Sequence, residues 1–170
     1  GALPDYAEAA LTRHVSRPPH HLGRALALAA IRETYEETGL LLGTREHGAP
    51  ETAPAGWEAF ARHEILPDLE ALHLVARAIT PPKRVRRFDT RFFAVDRRMV
   101  AAEEPGRVSP DSEFTELAWV RLDAARKLDL PFITRAILDD LEAQIAVDFA
   151  PYRMIPFHYE RYGRRERVAL

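Results

Sequence analysis

The stretch Leu22-Gly23-Arg24-Ala25-Leu26-Ala27-Leu28-Ala29-Ala30-Ile31-Arg32-Glu33-Thr34-Tyr35-Glu36-Glu37-Thr38-Gly39-Leu40 decides the reading of this chain. Alanine, leucine, arginine and glutamate are strong helix formers, so a helix is expected over 22–38. Gly39 ends it in the C′ position, with Leu40 able to fold back on the last turn. At about 100° per residue, Glu33, Glu36 and Glu37 share an arc of roughly 100°. Leu28, Ile31 and Tyr35 fall on the opposite side and can bury. Three neighbouring carboxylates repel one another unless water or a cation screens them. They also sit in the last turn, where the helix dipole disfavours negative charge. An all-oxygen cluster suits Mg²⁺ or Mn²⁺. A solvated acidic face is the other reading of the same triplet.

Before this helix, Ala2 to Val15 reads as a short helix or ordered loop, and Ser16-Arg17-Pro18-Pro19-His20-His21 breaks it. His20 and His21 have no acidic partner at helical spacing and are assigned no ligand role. After it, Leu40 to Leu42 reads as a brief strand and 43–56 as a loop. Trp57 to Ile65 reads as a helix, and Ala71 to Thr80 as a strand ended by Pro81-Pro82. Arg86 to Asp96 alternates like a sheet strand, 97–111 reads as a loop, and Glu116 to Arg121 as a short strand. A helical turn is expected near 123–128. A helix over 131–147 follows, with Pro131 at N1 and Ile133, Ile137, Leu141 and Ile145 as its buried stripe. Trp57 and Trp119 are expected in the core. The tail, 151–170, is aromatic and basic. Helices interspersed with separated strands give an α/β fold class with a mixed sheet.

The chain has 170 residues and 19.3 kDa, the size of one domain. Its 24 basic and 26 acidic residues leave a net charge of −2, so no basic excess exists to grip a phosphate backbone. No nucleic-acid partner is expected. The tail is read instead as a strand packed on the domain or on a second subunit, a homodimer. Cysteine is absent, which rules out thiolate metal sites and cysteine nucleophiles and fits a reducing, cytoplasmic compartment. No apolar run approaches about 20 residues, so no membrane span is expected. The segment from Gly1 to Ala10 lacks the pattern of a secretory signal.

Arg32, Glu33, Glu36, Glu37, Gly39 and Leu40 together resemble the second half of the Nudix box, G-x5-E-x7-R-E-U-x-E-E-x-G-U. Thr34 replaces the bulky aliphatic of that pattern. Arg24 stands where the box has glutamate and Pro18 where it has glycine, so the glycine half is missing. Ala76-Arg77-Ala78-Ile79-Thr80-Pro81-Pro82 and Arg86-Arg87-Phe88-Asp89-Thr90-Arg91-Phe92-Phe93 resemble a branch related to the peroxisomal coenzyme A diphosphatase. So do Asp111-Ser112-Glu113, Leu117-Ala118-Trp119-Val120 and Leu130-Pro131-Phe132. In that branch a long insertion precedes the Arg-Glu helix. Residues 1–21 would then be insertion or an N-terminal arm, 22–39 the Nudix helix and 151–170 a C-terminal tail of one domain spanning 1–170.

The resemblance implies a Nudix-type α/β/α sandwich, here without its N-terminal strands if the chain is a shortened form. It implies Mg²⁺- or Mn²⁺-dependent hydrolysis of a diphosphate linkage in a nucleoside diphosphate-linked or coenzyme A-like small molecule. By position, Glu36 and Glu37 would be metal ligands, and Glu33 a ligand or a water-orienting base. Arg32 would hold the carboxylates and Gly39 would support the site. Glu113, on the loop before the expected Trp119 strand, would be the further catalytic acid, as ligand or base, with Asp111 and Glu116 competing for that place; a solvated loop carboxylate is the other reading. Arg86, Arg87 and Arg91 are candidates for the substrate phosphates, or else charges that blunt a strand edge. Two alternatives stand beside the enzyme: a Nudix-like binding or regulatory domain, and a shortened, inactive form that self-associates through exposed strand edges.

Overall fold

The computed structural model describes residues 1–48, 52–110 and 114–170. Its elements run α1 (Asp5–Thr12), α2 (Leu22–Thr38), β1 (Leu40–Leu42), α3 (Glu58–Arg62), β2 (His73–Ile79) and β3 (Asp89–Ala94). A 3₁₀ turn (Arg97–Met99), β4 (Val100–Glu103), α4 (Leu122–Ala125), α5 (Phe132–Ile145), β5 (Pro156–Arg161) and β6 (Arg164–Ala169) follow. The chain is therefore mixed α/β, with helices and a mixed sheet, as its pattern leads one to expect. No described helix is long and apolar enough to cross a membrane. Two compact units form, and each is described by itself.

The first unit comprises Gly1–Pro4, Arg17–Leu72 and Val95–Trp119. The apolar stripe of α2 buries Ala27, Ile31 and Tyr35. Leu40, Leu41 and Leu42 are all buried, the unbroken apolar run of a strand covered on both faces. β1 pairs antiparallel with β4, Leu40 opposite Glu103 and Leu41 opposite Ala102. Phe60, Ile65 and Leu69 complete the core.

The second unit comprises Asp5–Ser16, His73–Ala94 and Val120–Leu170. Its sheet has the order β3-β2-β5-β6. β2 is antiparallel to β3 and parallel to β5, and β5 forms a hairpin with β6. One face of the sheet meets α5, where Ile137 packs with Val75, Ala76 and Phe92. The other face carries Arg77, 3% exposed, which donates twice to the Asp89 carboxylate at 2.7 Å. Arg77 also donates to the Arg13 carbonyl at 2.6 Å and lies over the Phe157 ring. A buried guanidinium with these partners keeps most of its hydrogen-bond demand satisfied.

The structure corrects several sequence expectations. The residues from Glu116 to Arg121 form no strand; Leu117, Trp119 and Val120 are exposed. β-branched and aromatic residues make a strand only when a partner strand is there to pair. Trp119 is not core: it is 59% exposed and lies beneath the Arg97 guanidinium at 4.5 Å. The region read as a loop over 97–111 contains the 3₁₀ turn and β4. β3 starts only at Asp89, opposite Ile79, because Pro81 and Pro82 cannot donate to a ladder. Pro131 is the N-cap of α5 rather than N1. On α5 the buried residues are Ile137, Asp140 and Gln144, while Ile145 is exposed.

Candidate functional site

Helix α2 divides sharply. Ile31 and Tyr35 anchor its inner face, and Glu33 and Glu36 are exposed on its outer face. Arg32 lies between them. Its guanidinium is 3.6 Å from Glu33 Oε1 and 3.4 Å from Glu36 Oε1. These are ion pairs rather than hydrogen bonds, and Arg32 Nε is buried without a hydrogen-bond partner among the described residues. The expected charged hydrogen bond from Arg32 is therefore a looser Coulombic hold. Glu37 is half-buried. A Cβ at Gly56, in the loop before α3, would reach contact range of Arg32 Cδ and Glu36 Oε1, so this loop passes beside the acidic face.

Gly39 caps α2 in the left-handed region, φ 79°, and its N–H donates to the Tyr35 carbonyl at 2.8 Å. Its carbonyl accepts from Glu104 N–H at 2.9 Å. A Cβ at Gly39 would collide with the Glu104 carbonyl oxygen. Glycine here thus serves both the backbone conformation and the close approach of the chain after β4.

That approach places Glu104 at the centre of a polar cluster. Its carboxylate accepts from the Tyr35 hydroxyl at 2.6 Å, from Arg62, and from His63 Nε2 at 2.9 Å. Arg107 donates to the Tyr35 hydroxyl and stacks on its ring at 4.5 Å. The Tyr35 hydrogen bond, followed by that from Arg62, holds the Glu104 carboxyl down at about 2. Burial, and then the Glu104 carboxylate, push the Tyr35 phenol up. The sequence reading missed this cluster. Tyr35 appears there only as a burying residue, and nothing local in Glu103-Glu104-Pro105 marks its partner.

Of the other predicted site residues, Glu113 and Asp111 lie outside the described residues, and Glu116 is exposed. Arg86 and Arg87 are exposed in the segment before β3, where Arg87 donates to the Thr80 carbonyl at 3.2 Å. The Arg91 side chain is 8% exposed and paired to Asp89 at 3.0 Å. The three arginines belong to the second unit and the three glutamates to the first.

Glutamate oxygens are the donors that Mg²⁺ and Mn²⁺ prefer, and the donor set on α2 fits such an ion chemically. In the arrangement described, Glu33 and Glu36 are directed at Arg32. Among the described residues no three acidic or histidine side chains converge closely enough to surround an ion. Exposed glutamates change rotamer on the picosecond-to-nanosecond scale, so an arriving dication would compete with Arg32 for them. No family model, curated protein or solved structure matches this chain.

Proposed function

We propose that the chain is a Nudix-type hydrolase that cleaves a diphosphate linkage in a small molecule, with Mg²⁺ or Mn²⁺ as cofactor. The observation that carries this reading is the outer face of α2. It presents Arg32, Glu33, Glu36 and Glu37 next to a left-handed Gly39 cap and a buried Leu40 strand, in the residue order of the Nudix helix. The charge placement opposes the helix dipole and gains nothing for stability, whereas a dication repays it.

Glu36 and Glu37 would hold the ion, with Glu33 as a further ligand or as the base. When bound, a dication neutralises diphosphate oxygens and lowers the pKa of an attacking water. Glu33, 56% exposed at its side chain and 3.6 Å from the Arg32 guanidinium, would take a proton from that water. The water oxygen bonds to one phosphorus, the bridging P–O bond breaks, and the bridging oxygen leaves as part of a phosphate. Arg32 holds the carboxylates against mutual repulsion until the substrate arrives. A nucleoside diphosphate-linked or coenzyme A-like body is the proposed substrate class. Glu113 is proposed as a second acid.

A panel of such diphosphates, assayed with Mg²⁺ and with Mn²⁺, tests the reading. Metal-dependent release of a monophosphate, lost in Glu36→Gln/Glu37→Gln, supports it. No turnover of any member with either ion argues against it. The second reading, a domain that binds without cleaving, draws on the engagement of Glu33 and Glu36 by Arg32. It predicts binding of the same panel with no product.

A further inference from the structure

The sheet face that meets α5 does not close over its whole length. Between α5, β2, β3 and the β5–β6 hairpin lies a pocket of about 750 Å³. Small side chains account for it: Ala78 on β2 and Ala136 and Ala143 on α5 stand where larger residues would have filled the layer. Phe92 and Ile133 supply the rest of an apolar floor. Pockets of this size with an apolar floor and a few convergent polar groups are the usual form of small-molecule sites.

The polar groups are ordered from within. Asp140, 6% exposed, accepts from His158 Nε2 at 2.6 Å and from Arg167 at 2.7 Å. His158 and Arg167 are register partners across the hairpin, so the two strands hold the carboxylate between them. With Nε2 committed to Asp140, the ring has only Nδ1 left to offer elsewhere. Asp139 is taken up by Arg126 at 2.5 Å. Among the described residues Arg84 and Arg165 have no carboxylate partner. The Arg165 guanidinium is pre-placed instead by stacking on Phe132, 3.9 Å from the ring centroid. Glu160, the register partner of Arg165, has no ion-pair partner among the described residues. Glu166 and its register partner Tyr159 line the pocket as well. Arg84 and Arg165 are matched in number by Glu160 and Glu166, so it is the placement of the Arg165 guanidinium on Phe132, and not a net charge, that would direct an anion over the apolar floor.

We propose that this pocket is a binding site for a small organic carboxylate with a flat or acyl apolar body. The body lies on Phe92, Ile133 and Ala136, and the carboxylate meets Arg165 and Arg84. A guanidinium fork matches a carboxylate in two parallel hydrogen bonds, and stacking on Phe132 removes much of the ordering cost of Arg165. The site lies wholly within the second unit, and the proposal does not depend on the hydrolase reading.

Calorimetric titration of the full chain with 2-naphthoate, and with 2-naphthol as the same body without the charge, tests it. Saturable one-site binding of 2-naphthoate is expected, with 2-naphthol at least about tenfold weaker. Arg165→Gln, an exposed change that leaves the fold intact, should weaken naphthoate about tenfold and leave naphthol unchanged. Ala136→Phe, which fills the floor, should abolish both, with circular dichroism confirming that the variant is folded. Absence of saturable binding overturns the proposal. So does equal affinity for the two probes, or naphthoate binding that survives both substitutions.

Discussion

The Tyr35 hydroxyl on the buried face of α2 donates to the Glu104 carboxylate at 2.6 Å, across 69 positions of sequence. Through it the helix that presents the acidic face is fastened to the turn after β4. Phe60, edge-on to Tyr35 at 5.6 Å, and Trp57 at 4.8 Å from Phe60 back the same contact. The acidic residues face outward because Tyr35 and Ile31 fix the rotation of α2.

Glu104 makes the first unit sensitive to acid. Its folded carboxyl sits near 2, against an ordinary 4.5. A depressed pKa adds stability that is complete above the ordinary value and is lost as the pH falls toward the folded one. The contribution of Glu104 should therefore disappear between about pH 4.5 and 2. Asp89 and Asp140 are also held down and add to the slope, so the comparison with Glu104→Gln isolates it. Urea unfolding at pH 7 should show the variant about 1–3 kcal/mol less stable, with the difference shrinking as the pH approaches 2. A constant difference across that range would contradict the assignment.

Gly39→Ala combines a left-handed backbone with a collision at the Glu104 carbonyl. Strain of this kind costs roughly 1–3 kcal/mol. Thermal unfolding should register it. A loss below about 0.5 kcal/mol, the ordinary surface range, would mean that α2 and the turn after β4 adjust freely.

In the second unit, Asp89→Asn should leave the buried Arg77 without its counter-charge. Breaking a buried pair from one side costs about 3–5 kcal/mol, and the partial exposure of Asp89 brings the expectation down to about 2–3 kcal/mol. Arg77→Met, which removes the buried charge, should cost less than Asp89→Asn. Chemical denaturation of both variants decides the order; a larger loss for Arg77→Met would show that its bond to the Arg13 carbonyl and its contact with Phe157 dominate.

What the sequence made legible was local. Helix formers over 22–38 and the glycine behind them depend on neighbours within one turn, and both ends of α2 fall where expected. The tail reads as a strand and forms two, β5 and β6. What it hid depended on distant partners. β4 has four residues and no strong pattern, and is a strand because Leu40–Leu42 lies beside it. Glu116 to Arg121 has the composition of a strand and lacks that neighbour. On α5 the expected stripe advanced in steps of four, each turning about 40° beyond a full circle. By Ile145 it had drifted about 120°, so Asp140 and Gln144 took the inner face. Asp140 can be there because His158 and Arg167 meet its charge.

The most direct measurement is the unfolding temperature with and without Mg²⁺ or Mn²⁺, in the parent chain and in Glu36→Gln/Glu37→Gln. An ion bound to the folded state at a hundred times its dissociation constant adds about 2.7 kcal/mol, or about 5–10 °C for a chain of this size. The parent should show such a rise and the variant should not. A parent that does not respond to either ion, or a variant that responds as the parent does, would contradict a metal site on α2 and the hydrolase reading with it.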